Sequence, residues 1–77
     1  MKNHLRYIFY IELIIEGDEI RRFINMCRKD DITFIHMKYD GKYENRITVR
    51  MTRKDFFKLK KYIRLTHVHI KVTGKAY

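Results

Sequence analysis

The chain has 77 residues, of which 45% are hydrophobic, and its 18 Lys and Arg against nine Asp and Glu give a formal net charge of +9. A chain of this size buries only about 60% of its unfolded surface, which leaves little core for a deep catalytic pocket. The single cysteine excludes an internal disulfide, and the sequence lacks the apolar run of about 18 residues that a membrane-spanning helix needs. These properties predict one globular domain over residues 1–77, and the excess positive charge favours an anionic partner.

The N-terminal part of the sequence predicts a strand and then a helix. Residues 5–16 are rich in β-branched and aromatic types, and every second residue is apolar, which is typical of a strand with one buried face. After Gly17, Asp18 is predicted to cap a helix. The buried stripe of that helix recurs at helical spacing and consists of Ile20, Phe23, Ile24 and Cys27.

A hairpin is predicted next. Residues 32–39 alternate between apolar and polar types, as do residues 44–51, and Asp40-Gly41 between them is typical of a tight turn. The second run has Ile47, Val49 and Met51 on one face. We therefore expect the second and third strands to pair in antiparallel fashion.

A second helix and a closing strand complete the predicted elements. The stretch from Thr52 to Asp55 is a capping box, in which the threonine accepts a bond from the first turn and the carboxylate reaches back. The apolar stripe of this helix is Phe56, Leu59 and Ile63. Residues 67–73 then predict a strand with three inward residues, Val68, Ile70 and Val72.

The order β-α-β-β-α-β limits the possible topologies. With right-handed crossovers it gives a four-stranded antiparallel sheet in spatial order 4-1-3-2 with both helices on one face. This is the ferredoxin-like split βαβ architecture, a fold of the α+β class.

A metal or thiol site is the first function to test. Cys27 lies on the stripe that faces the sheet, where a free cysteine packs as a small hydrophobe. His36 is predicted on the open side of strand 2, while His67 and His69 fall on strand 4 at the opposite edge, about 14 Å away at about 4.8 Å per strand. Zinc needs all its ligands within about 2.3 Å of one point. The chain also lacks serine, and we expect no enzyme, no cofactor and no metal.

A small nucleic-acid-binding module is the alternative function, because RRM domains share this architecture and stack bases on aromatic residues of strands 3 and 1. The open face of strand 3 is predicted to show Arg46, Thr48 and Arg50, and strand 1 offers only Tyr10. Base stacking is therefore not favoured, but contact with phosphate through charge alone stays open.

Two sets of surface residues are candidate contacts. The candidate interface consists of apolar residues on the open face of strand 1, namely Ile8, Tyr10 and Ile14. The candidate anionic contacts are basic residues of the sheet and of the second helix: Lys38, Arg46, Arg50 and Lys71, and Lys58, Lys60, Lys61 and Arg64. The alternative for the sheet residues is a solvated face with cross-strand ion pairs, for example Glu12 with Arg46 or Arg50.

One further set of residues is spread over both predicted helices and the strands between them: Gly17, Phe23, Asn25, Cys27, Lys38, Asp55, Phe56, Leu59, Arg64 and Thr66. With these residues at like spacing, the sequence from about residue 11 to residue 72 resembles the N-terminal region of the YqfD family of stage IV sporulation proteins. The sequence departs from the family at Glu19-Ile20, where the family typically has Ser-Pro, and at Ile35-His36, where it often has Trp-Asp.

The resemblance implies a place near a membrane. Family members continue from this region into a transmembrane helix and a larger extracytoplasmic portion, so the chain corresponds to an excised N-terminal domain or to a short relative. A basic segment before such a helix is expected on the cytoplasmic face of the membrane of a spore-forming bacterium. We therefore expect a non-enzymatic interaction domain of a sporulation-associated membrane protein, with the anionic membrane surface or another sporulation protein as its partner.

Overall fold

The computed structural model describes residues 10–42 and 45–76. Its elements are β1 (Tyr10–Glu16), α1 (Ile20–Lys29), β2 (Ile35–Tyr39), β3 (Arg46–Thr52), α2 (Arg53–Phe56), α3 (Leu59–Thr66) and β4 (His69–Ala76). The strands form one antiparallel sheet in the order β2-β3-β1-β4. The α+β class and the predicted order 4-1-3-2 are thereby confirmed. Ile8, the predicted part of the first strand before Tyr10 and the predicted start of the third strand at Glu44 lie outside the described residues.

The core forms where the helices pack on one face of the sheet. Alternate residues of the two central strands are buried, namely Ile11, Leu13 and Ile15 of β1 and Ile47, Val49 and Met51 of β3. The helices contribute the predicted stripe of α1 and two residues of α3: Ile20, Phe23, Ile24, Cys27, Leu59 and Thr66. The residues between the buried ones face the other side of the sheet, which we call the open face. The longest helix among the described residues, α1, has ten residues, so none of these helices can cross a membrane.

The start of α1 differs from the prediction. Glu19, not Asp18, occupies the N-cap position, and its side chain makes no capping hydrogen bond. The Glu19 carboxylate instead pairs with Arg22 at 2.8 Å, while Asp18 accepts a bond from the side-chain amide of Asn45 at 3.4 Å. The prediction that Asp18 caps the helix is therefore wrong, because its carboxylate contacts Asn45, directly before β3, and not the first turn of α1.

Strand β2 is shorter than predicted and contains a bulge. Ile35 pairs with Arg50 and Lys38 with Thr48, so three steps along β2 match two steps along β3. His36 takes a φ of 53°, a left-handed conformation that accommodates the additional residue. Simple alternation placed Ile35 on the core side, but the bulge turns it to the open face beside Arg50. His36 is exposed, as predicted.

The predicted second helix is divided into α2 and α3 by a turn at residues 57 and 58. The Thr52 hydroxyl accepts a bond from the Asp55 N–H at 3.2 Å, as the capping box predicts. The Asp55 carboxylate, however, turns to the backbone N–H of Thr33 at 3.2 Å and to the Lys58 ammonium at 3.8 Å. Asp55 thus joins the loop before β2 to the start of α2.

The closing strand begins later than predicted. His67 ends α3 in a left-handed conformation with φ of 55° and so lies outside the closing strand, where it was predicted together with His69. Val68 is buried as predicted, whereas Val72 is 49% exposed. By register Val72 pairs with Leu13 and so faces the helix side. It lies on an edge strand, however, and about half of its side chain stays exposed.

Burial makes Cys27 a core residue, as predicted. Its side chain is fully buried, and this burial, with a smaller effect from the Asp30 carboxylate, raises the pKa of the thiol from 9.0 to about 12. We expect Cys27 to react with a disulfide reagent at least about tenfold more slowly in the folded chain than in urea, since burial limits access to the thiol and makes its thiolate rarer. Equal labelling rates in the two states would contradict the burial.

The same pKa shift predicts the effect of high pH on stability. The thiol ionises in the unfolded chain at lower pH than in the folded chain, so the free energy of unfolding should fall as the pH rises above 9.0. Urea unfolding across this range measures the effect. The matched control is Cys27→Ala, in which the contribution of this group disappears.

Asp55 is expected to contribute to stability through the bond to Thr33. Replacing it by Ala should lower the free energy of unfolding by about 1 kcal/mol, because the Thr33 N–H loses its acceptor and α2 its acidic first-turn residue. Asp55→Asn should lose less, since its amide oxygen can still accept. Urea unfolding of both variants is the measurement, and an Ala variant as stable as the original chain would contradict the assignment.

Candidate anion-binding surfaces

The basic residues predicted on the sheet all lie on its open face. The register aligns one row across the four strands, formed by Lys38, Thr48, Ile14 and Lys71. Arg46 and Arg50 flank this row on β3. The four predicted sheet contacts are therefore brought together on one side, with the two lysines on the edge strands.

Acidic neighbours pair with both arginines of the open face. The Arg46 guanidinium lies 3.0 Å from the Glu16 carboxylate and 3.7 Å from that of Asp40, and Arg50 lies 3.4 Å from Glu12. The pair between Glu12 and Arg50 is one that the sequence predicts. An external anion would have to compete with these carboxylates, so the centre of the open face is poorly suited to bind one.

Two of the three residues of the predicted apolar interface are among the described residues. Tyr10 and Ile14 are half-buried on the open face, where they pair with Thr52 and Thr48. The bulge adds Ile35 to the same face, which strand alternation did not indicate. The outward residues of β3 are Arg46, Thr48, Arg50 and Thr52, so the described strands lack the aromatic pair on which an RRM stacks bases.

A second and denser set of cations covers the outer side of α2 and α3. Residues 53–66 hold six basic residues and one acidic residue. All six cations are exposed, and we call them the α2–α3 surface: Arg53, Lys54, Lys58, Lys60, Lys61 and Arg64. The acidic residue, Asp55, has only 15% of its side chain exposed and faces Thr33. Arg53 and Lys54 were not among the predicted contacts.

Two apolar side chains stand among these cations. Phe57 is 67% exposed and Leu65 is 49% exposed. The Arg53 guanidinium carbon lies 5.7 Å from the centre of the Phe57 ring. Sequence reasoning followed the stripe of Phe56 and missed Phe57. The available signal was the pair of adjacent phenylalanines, because two neighbouring residues of a helix cannot both face the core.

A side-chain hydrogen bond joins α3 to the end of α1. The Tyr62 hydroxyl donates to the Asp30 carboxylate at 2.8 Å, and this bond is the main reason that the pKa of Tyr62 is raised. The Lys61 ammonium lies 4.9 Å from the centre of the Tyr62 ring.

The outer side of α1 is also basic. Four of its residues are exposed cations that the sequence analysis did not select: Arg21, Arg22, Arg28 and Lys29.

The three histidines within the described residues lie apart from one another. His36 and His69 are on opposite edge strands, and His67 is at the end of α3. Within residues 10–42 and 45–76, no three His, Cys, Asp or Glu side chains converge in a way that could hold a metal ion.

Comparison with known proteins relates this structure to one family. None of the curated proteins compared with the chain matches it. Residues 7–76 match the family model described as "Putative stage IV sporulation protein YqfD". The matched range includes every described strand and helix. The chain therefore belongs to the YqfD family of stage IV sporulation proteins.

Proposed function

We propose that this chain is a non-enzymatic interaction domain that binds the anionic cytoplasmic surface of the membrane in a sporulating cell. Membership of the YqfD family supplies the link to sporulation. The observation that carries the proposal is the α2–α3 surface, because residues 53–66 hold six exposed cations together with an exposed phenylalanine, whose ring centre lies 5.7 Å from the guanidinium carbon of Arg53. We also propose the ferredoxin-like architecture for the domain, on the basis of its element order and sheet order.

Electrostatics favours the helices over the sheet for this contact. A basic side chain close to an anionic leaflet gains about 1 kcal/mol. On the open face, Arg46 and Arg50 already pair with carboxylates, whose negative charge would be repelled by the same leaflet. On the α2–α3 surface, the only carboxylate is that of Asp55, which is largely covered.

The register of the sheet supports the same orientation. Tyr10 pairs with Thr52 on one side and with Ala76 on the other, so β3 and β4 end at the same end of the sheet. Thr52 directly precedes α2. If a transmembrane helix follows this region, as the family resemblance implies, the membrane would lie near the first turns of the α2–α3 surface.

Charge reversal in two places tests the proposal. Lys60→Glu with Lys61→Glu should weaken binding to vesicles that contain phosphatidylglycerol by at least about 30-fold, since each lost lysine costs about 1 kcal/mol and each new carboxylate is also repelled by the anionic lipid. The matched control is Lys38→Glu with Lys71→Glu, which makes the same change of charge at exposed positions of the sheet and should lose far less. Vesicle co-sedimentation at fixed ionic strength measures both.

Three results would contradict the proposal. One is an equal loss in the helix and sheet variants, and another is binding that does not depend on anionic lipid. The third is micromolar binding of single-stranded RNA that persists at high salt. That result would favour the nucleic-acid function, since stacking resists salt better than phosphate contact does.

A further inference from the structure

We propose that Phe57 is a membrane-insertion residue, whose ring enters the acyl boundary of the bilayer while the cations around it bind lipid headgroups. This inference rests on the proposed function, because it assigns a separate, apolar part of the contact to one side chain of the same surface.

The exposure of Phe57 follows from how its neighbours pack. Phe56 lies against the core, and the next buried residue of the stripe is Leu59. Between them the chain makes the turn that separates α2 from α3, and Phe57 is left 67% exposed on the outer side. Single exposed apolar residues are common on protein surfaces, so the neighbours of Phe57, and not its exposure alone, point to a role in binding.

Cations surround Phe57 on the same side of the helices. Phe57 and Lys58 both have right-handed helical dihedrals, so helical spacing continues approximately through the turn. Lys54 three residues earlier, and Lys61 and Arg64 four and seven residues later, therefore fall on the side of Phe57. An apolar ring within a cationic border is the pattern of a surface that lies in a lipid interface, since it combines apolar burial with attraction to anionic headgroups.

The ring contacts favour lipid over a nucleic-acid base. The Arg53 guanidinium lies over the Phe57 ring, with its central carbon 5.7 Å from the ring centre, and the Phe56 ring meets it at 64° with the centres 5.8 Å apart. A stacked base needs a free ring face, and these neighbours reduce the free area. The long Arg53 side chain can instead extend along the ring toward the headgroups as the ring enters the apolar layer.

A tryptophan probe tests the insertion directly, because the chain contains no tryptophan. In Phe57→Trp, binding to vesicles with phosphatidylglycerol should shift the emission to shorter wavelength. Lipids brominated along the acyl chain should quench it. The matched control is Tyr39→Trp, since Tyr39 is 64% exposed and pairs with Ile47, at the opposite end of β3 from α2. Its emission should neither shift nor be quenched.

A truncation separates the apolar contribution from the electrostatic one. Phe57→Ala should weaken vesicle binding about tenfold or more at high salt, where attraction between charges is screened, because it removes most of the apolar burial. At low salt the variant should still prefer anionic vesicles, since the six cations of the surface are unchanged.

The outcomes are distinguishable from failure of the proposed function. If Phe57→Trp binds anionic vesicles but its emission stays unshifted and unquenched, insertion is overturned while membrane binding stands. If neither the original chain nor the variants bind anionic vesicles, both proposals fall. If the Phe57→Trp emission changes with single-stranded RNA and not with vesicles, the residue is a stacking platform, and the insertion proposal is overturned.

Discussion

Burial of alternate residues of β1 and β3 beneath the helices determines which side chains this domain can present. Leu13, Ile15, Ile47 and Val49 are fully buried, so the residues between them must face the open side of the sheet. Leu59 of α3 is buried in the same core, and the opposite side of that helix therefore faces solvent. The two candidate surfaces thus lie on opposite sides of the domain because one core separates them.

The two surfaces differ in how their charge is balanced. On the open face, antiparallel pairing places Glu12 opposite Arg50 and Glu16 opposite Arg46, and these pairs form across the central strands. A short helix has no such partner strand, and the cations of the α2–α3 surface face solvent. Family membership gives the sporulation context, and this difference in charge balance is the physical basis for proposing that the helices rather than the sheet contact an anionic surface.

Much of the fold could be predicted from the sequence because its periodic signals are strong. The four buried residues of α1 and the alternation in β3 follow directly from spacing. The bulge in β2 could not be predicted, since a single additional residue at His36 leaves the sequence alternation unchanged while it turns Ile35 to the other face. The bond made by the Asp55 carboxylate could not be predicted either. The spacing from Thr52 predicts that this carboxylate accepts a bond within the capping box, whereas in the structure it accepts from the backbone N–H of Thr33.

The candidate site was predicted less completely than the fold. Four basic residues of the helix were predicted from charge, but Phe57 was not, although the adjacent Phe56 indicated that only one of the two rings could face the core. The turn at residues 57 and 58 contains no glycine or proline, so the sequence does not show that the helix is interrupted there. The contact between the Arg53 guanidinium and the Phe57 ring is visible only in the structure.

The orientation of the domain on the membrane can be measured by NMR with spin-labelled lipid. The chain, isotopically labelled, would be bound to anionic bicelles that carry a paramagnetic label at the headgroup, and the loss of each amide signal would be recorded. If the α2–α3 surface meets the membrane, residues 53–65 should broaden strongly and the central part of β1 and β3 only a little. Broadening centred on Glu12, Thr48 and Arg50 would contradict this orientation, because the open face would then be the side that meets the membrane.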